Sequence, residues 1–228
     1  MALKKFGVLY LIILLLAKSS MFSFSQIIGI KGGMHISNMV ESRQNIHLSD
    51  NHSNLLGYNL GASYVKKLSQ NIMIESNLNI SLKGYRTNNR IYFISDSVDH
   101  KLSTSLTYLD LPIYAVFTKQ FDKLNGFIKF GPYIGLGLFG RNKHTLVSGS
   151  SVKNTIVDYV SWGSNKYKDN FVRFDYGFSL GVGLELKPYQ VCISNYHGLA
   201  NTAINTFENN SNYHRAYSIT ITYFLKDK

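Results

Sequence analysis

The chain has 228 residues and a formal charge of +11, with 45% apolar and only 16% charged residues, against roughly 25% charged in soluble domains. That much apolar surface excludes a disordered chain. The lone Cys192 excludes a disulfide scaffold, and a single long apolar run excludes a helical membrane bundle.

In chain order, Lys4 and Lys5 precede an apolar run from Phe6 to Ala17 that Lys18 ends. A spanning helix needs about 20 apolar residues, so this run is too short for an anchor. Ser23 and Ser25 put small residues at −3 and −1 before Gln26, the pattern of a secretory signal peptide. The expected layout is a signal peptide over 1–25 and one domain over 26–228. Cleavage removes Lys4, Lys5 and Lys18 and leaves a charge of +8. An exported chain with no recognition helix or zinc-finger spacing is not expected to bind nucleic acid.

The rest of the chain repeats with period two, the mark of strands with two unlike faces. Ile28, Ile30, Met34 and Ile36 oppose Gly29, Lys31, Gly33, His35 and Ser37. Leu56, Tyr58, Leu60, Ala62 and Tyr64 oppose Gly57, Asn59, Gly61 and Ser63. Ile72, Ile74, Leu78, Ile80 and Leu82 oppose Glu75, Asn77, Asn79, Ser81 and Lys83. Over 107–117, Leu109, Leu111, Ile113, Ala115 and Phe117 oppose Tyr108, Asp110 and Tyr114. Over 127–139, Ile128, Phe130, Ile134, Leu136 and Leu138 oppose Lys129, Gly131, Tyr133, Gly135 and Gly137. The longest run, 171–186, alternates strictly, with Val172 to Leu186 apolar at every even position and Arg173, Asp175 and Glu185 on the other face. Shorter strands are expected around Val191 and Ile193, and over 215–225 with Tyr217, Ile219, Ile221 and Tyr223.

These eight strands are joined by connections that alternate in length. Tight turns fall at 67–70, 120–125 and 187–188, and longer polar loops at 39–54, 86–104, 141–169 and 199–213. Short turns at one end and long loops at the other are the pattern of a transmembrane barrel, with the turns in the periplasm. The predicted fold is all-β, an eight-stranded antiparallel up-and-down transmembrane β-barrel. The polar face cannot form a dry core. It is expected to line the lumen, where Lys31, Lys83, Lys129 and Arg173 neutralise Glu75, Asp110, Asp175 and Glu185. The inward glycines are expected to make room for these long side chains, so Gly183→Ser should be tolerated while Val182→Arg should not.

The segments Ile30 to Asn38, Tyr108 to Pro112, Gly131 to Gly135, Phe174 to Gly177 and Tyr196 to Asn201 resemble the small outer-membrane β-barrel family of Gram-negative bacteria, the PorT-like or OmpA-like β-barrel domains. The resemblance covers nearly the whole mature chain. It implies an eight-stranded barrel in the outer membrane, with some members tied to a protein-secretion apparatus. Here Phe224 is followed by Leu225-Lys226-Asp227-Lys228, so the terminal aromatic common in such barrels is internal.

Candidate chemistry is sparse. Of the seven histidines, His47, His52, His100, His144 and His214 are scattered over four long loops, and none has metal-ligand spacing on a strand, so no cofactor, metal site or catalytic residue is assigned. Ser194 and His197 are the nearest hydrolase-like pair, with no third member visible from spacing. The cations Arg43, Arg86, Arg90, Lys101, Lys143, Lys153, Lys166, Lys168 and Arg215 are expected in the loops, a subset of them meeting anionic headgroups. In the longest loop, Thr155 to Val160 is strand-like and is expected to pair with Thr145 to Val147 as a hairpin above the membrane. Tyr159 and Trp162, beside Lys166 and Lys168, are the predicted exposed contact. The expected role is structural or interactive and not enzymatic. Outer-membrane lipid and lipopolysaccharide are the expected partners, with an envelope or secretion-apparatus protein as a further one. A lipid-modifying enzyme and a soluble lipocalin-like binder of apolar ligands remain the alternatives.

Overall fold

The computed structural model describes residues 26–43, 46–47, 52–92, 97–148, 151–165, 167–204 and 211–225. The expected signal peptide and Lys166 lie outside them. The strands are β1 (Gln26–Arg43), β2 (Ile46–His47), β3 (His52–Lys67), β4 (Ile72–Tyr92), β5 (Ser97–Phe121), β6 (Leu124–Ser148), β7 (Ser151–Tyr159), β8 (Phe174–Leu186), β9 (Tyr189–Gly198) and β10 (Ser211–Phe224). Eight of them pair in the ring β1–β3–β4–β5–β6–β8–β9–β10, and β10 returns to β1 from Gly29↔Phe224 to Ser42↔Ser211. Closure gives every ring strand a neighbour on both sides, as hydrocarbon requires. The other two are additions at the long-loop end: β2 is a two-residue pair on β1, and β7 extends β6 as a hairpin.

The faces follow the alternation. Ile30 is 61% exposed and Lys31 2%; Ile128 is 47% exposed and Lys129 1%. Apolar residues out and charges in is the reverse of a soluble barrel, and it places the apolar band in lipid. The tight connections fall at 68–71, 122–123 and 187–188. Asp122 takes the left-handed conformation there, φ 54°, which Asp tolerates better than most residues.

Two features depart from the sequence reading. The β5–β6 register moves from Thr107↔Phe139 to Tyr108↔Gly137, leaving Leu138 unopposed. Past this bulge the facing of β6 inverts, so Phe139 is also outward at 63% exposure. Second, Gly183 is not spare room. A Cβ there would strike the Val191 carbonyl and the Phe127 ring, so the expected tolerance of Gly183→Ser is overturned. Close backbone approach, not lumen volume, is what this glycine supplies.

Candidate functional site

The lumen charges form two groups at different heights. Nearer the short turns, Lys129 Nζ donates to Glu75 Oε1 at 2.8 Å, Lys31 Nζ lies 3.9 Å from the same oxygen, and Asn77 donates to it at 2.9 Å. Nearer the long loops, Lys83 Nζ donates to Asp110 at 2.8 Å and to Asp175 at 3.5 Å. Lys83 also sits 4.8 Å and 5.1 Å from the ring centres of Tyr108 and Tyr133, and Tyr133 donates to Asp175 at 3.2 Å. Glu185 belongs to neither group; Asn125 donates to it at 3.3 Å near the short-turn rim. Arg173 must be corrected. It is exposed, because the regular alternation of β8 begins only at Phe174, although its carbonyl still accepts from the Gly137 N–H of β6 at 2.8 Å.

Aromatic and apolar side chains pack at both ends of the lumen, with a cavity of about 190 Å³ at the short-turn mouth. Val65, Met73, Tyr114, Val116, Phe127, Cys192 and Phe224 pack at the short-turn end. Met39, Tyr85, Leu106, Tyr108, Val160 and Phe171 pack at the other. The upper cluster draws its lid from the segment after β7. Val160 N–H donates to the Gly140 carbonyl at 2.9 Å, and Trp162 packs 5.5 Å edge-on to Tyr108 and 6.3 Å from Phe171. The predicted exposed contact is therefore divided. Tyr159 is 86% exposed and Lys168 is exposed, but Trp162 turns into the barrel mouth. Burial of its large ring against Tyr108 and Phe171 outweighs what solvent offers it.

Above the band, β6 and β7 form the predicted hairpin, with Thr145↔Thr155 in register. The sequence reading missed Arg141, which the inverted facing beyond the bulge places outward, level with Ser105 and Tyr159. Arg215 is not a free loop cation: its guanidinium donates to the carbonyls of Gly198 and His214 at 2.7 Å and 2.8 Å. Ser194 is buried and lies 3.2 Å from the Cys192 sulfur, while His197 stacks on Phe178 at 4.9 Å. Three residues apart on a strand put the two on opposite faces, so they form no dyad. His100 and His144 meet at 3.2 Å, with Asp158 3.7 Å from His144. Among the described residues no group of three or more ligating side chains is placed to hold a metal.

One pH-sensitive tie holds the outer end of β3 to β1. His52 Nδ1 lies 2.9 Å from the Met39 carbonyl and Nε2 3.2 Å from the Glu41 carboxylate. Both ring nitrogens thus face acceptors, which only the imidazolium can satisfy together. The hydrogen bond with Glu41 raises the His52 pKa above its ordinary 6.5, against the lowering effect of burial. A raised folded-state pKa gives stabilisation that is complete below 6.5 and is lost as pH rises through the raised value. Amide exchange at the outer β1–β3 pairs should therefore quicken across that window. In His52→Gln the added step should be absent; an unchanged profile would remove His52 from this role.

Among solved structures, the chain is similar to Ail, the attachment invasion locus protein of Yersinia pestis, in complex with the heparin analogue sucrose octasulfate. The identity is 13%, the TM-score 0.39, and the match covers 88% of this chain and 99% of Ail. It is similar to the neisserial surface protein NspA at 10% identity and TM-score 0.35, covering 86% and 96%. It is similar to the N-terminal β-barrel domain of Pseudomonas aeruginosa OprF at 8% identity and TM-score 0.26, covering 84% and 97%. No curated protein sequence matches. Residues 23–204 match the family model of the outer membrane protein beta-barrel domain. With the ring closed, the lipid face outward and four-fifths of its length matched, the chain belongs to the outer membrane protein β-barrel domain family, and its place is the outer membrane.

Proposed function

We propose that the protein is a structural and interaction barrel without enzymatic activity, and that its β4–β7 sheet is an extracellular contact surface. The proposed partners are outer-membrane lipid and lipopolysaccharide, together with an envelope or secretion-apparatus protein. The observation that carries this reading is strand length. β4, β5 and β6 run 21, 25 and 25 residues, against about 9–11 needed to cross a bilayer. The surplus, with β7, builds a four-stranded sheet outside the membrane, which a barrel with no contact to make has no reason to maintain. A filled lumen supports a role outside the pore: eight strands leave an interior just wide enough for side chains, and here ion pairs and two aromatic clusters occupy it.

Trypsin added to intact cells tests the reading. Cleavage is expected at Lys168, and at Lys153 or Lys166, while the cut barrel keeps its heat-modifiable shift on gels. Protection in intact cells, with cleavage only after lysis, would put the sheet in the periplasm and overturn the proposal.

A further inference from the structure

The outward face of the β4–β7 sheet changes character just above the lipid band. Leu138 and Phe139 end the apolar surface on β6. The next outward positions on β6 are Arg141, Lys143 and Thr145, facing Ser105, Ser103 and Lys101 on β5. Ser103 in turn faces Arg86 on β4. Arg86 and Lys143 therefore flank Ser103 from either side, about 10 Å apart at two strand spacings, and Lys101 is the next outward residue along β5. The three cations line one open groove of 460 Å³ with the hydroxyls of Ser53, Ser103 and Thr145. Among the described residues no carboxylate lines it. Asp99, the one acid on this sheet face among the described residues, is held by Arg90 at 2.7 Å.

We propose that Arg86, Lys101 and Lys143 form a binding site for the phosphate groups of an outer-leaflet glycolipid. The proposal rests on the extracellular placement of the sheet. Lys143 lies four residues beyond Phe139; at about 3.3 Å per residue and a tilt of about 40°, it stands about 10 Å above the apolar band. That is the level of the headgroup layer, and long cationic side chains bend toward it. Arg offers a planar fork to two phosphate oxygens, Lys a point charge, and the hydroxyls fill the remaining acceptor positions. Continuity decides between a lipid and a free anion. Below the groove, past Arg141 and Ser105, exposed Phe139 and Leu138 lead down the wall to exposed Leu111 and Ile134, so one molecule can set its phosphate in the groove and its acyl chains on the band.

The test uses the full mature chain in neutral-detergent micelles, titrated with purified lipopolysaccharide and with the same material dephosphorylated. The variant Arg86→Gln/Lys101→Gln/Lys143→Gln is expected to bind at least tenfold more weakly than wild type. Wild type is expected to lose as much on the dephosphorylated ligand. Lys67→Gln/Lys119→Gln/Lys123→Gln removes the same charge at the short-turn end and should bind within twofold of wild type. All three proteins are first shown to be heat-modifiable. Equal binding by wild type and the groove variant would overturn the site, and equal loss in the charge-matched control would reduce it to net charge. Full displacement by millimolar inorganic phosphate would make it a soluble-anion site and overturn the lipid assignment. Failure of wild type to bind, with Lys168 still cut in intact cells, would sink this inference and leave the extracellular sheet standing; protection of Lys168 would remove both.

Discussion

Glu75→Gln is expected to destabilise the barrel by about 3–5 kcal/mol, the cost of breaking a buried ion pair from one side. Glu75, Lys31 and Lys129 are 1%, 2% and 1% exposed, and the single carboxylate serves both ammonium groups. Without its charge, two cations share a low-dielectric site with no counterion. Urea unfolding in micelles measures the loss. Glu75→Gln/Lys129→Met should be less unstable than the sum of its two single variants, because residues in direct contact couple. Wild-type stability in Glu75→Gln would mean that water in the lumen solvates both lysines.

Val182→Arg and Gly183→Ser should both lower the folding yield, by different physics. Val182 is 52% exposed on the lipid face, between Ile128 and Ile193, and an arginine there costs about 2–4 kcal/mol near mid-bilayer. Gly183 lies one residue on and faces inward, where an added Cβ strikes the Val191 carbonyl and comes 2.8 Å from Phe127 Cε1. The first penalty belongs to hydrocarbon and the second to protein. Folding in short-chain detergent micelles should therefore rescue Val182→Arg and leave Gly183→Ser impaired. Rescue of both, or of neither, would undo the assignment of faces at this pair.

The eight ring strands, their facing within the lipid band and the alternation of turns with loops were legible in the sequence. Lipid imposes an apolar residue at every second position, and no other environment of this kind leaves lysines such as Lys31 and Lys129 on the opposite face. The extent of the strands was not legible. β5 and β6 were read as 107–117 and 127–139 but run over Ser97–Phe121 and Leu124–Ser148. Outside the membrane both faces are wet, so the hydropathy contrast that marks a strand disappears. The bulge at Leu138 was equally silent, since a one-residue insertion leaves no compositional trace. It decides the facing of Arg141 and Lys143. The predicted contact is split between outside and mouth for a related reason. Tyr159 and Trp162 are alike as sequence, and only the position of the barrel mouth sends one out and the other in. The ion groups stand between these cases: the residue types were readable, but their division into one set around Glu75 and another around Lys83 depends on strand register.

The lid over the mouth has an optical consequence. Trp162 is the chain's one tryptophan, and its ring lies over Gly137, where even a Cβ would come within 2.8 Å of three ring carbons. Its fluorescence therefore arises from the closure point alone, with no second indole to dilute it. A ligand that lifts the segment from Val160 to Phe171 moves this fluorophore into water and shifts its emission to the red. A ligand seated on the outward face of the sheet leaves the spectrum unchanged. The protein thus carries an unlabelled gauge that separates events at the mouth from events on the wall.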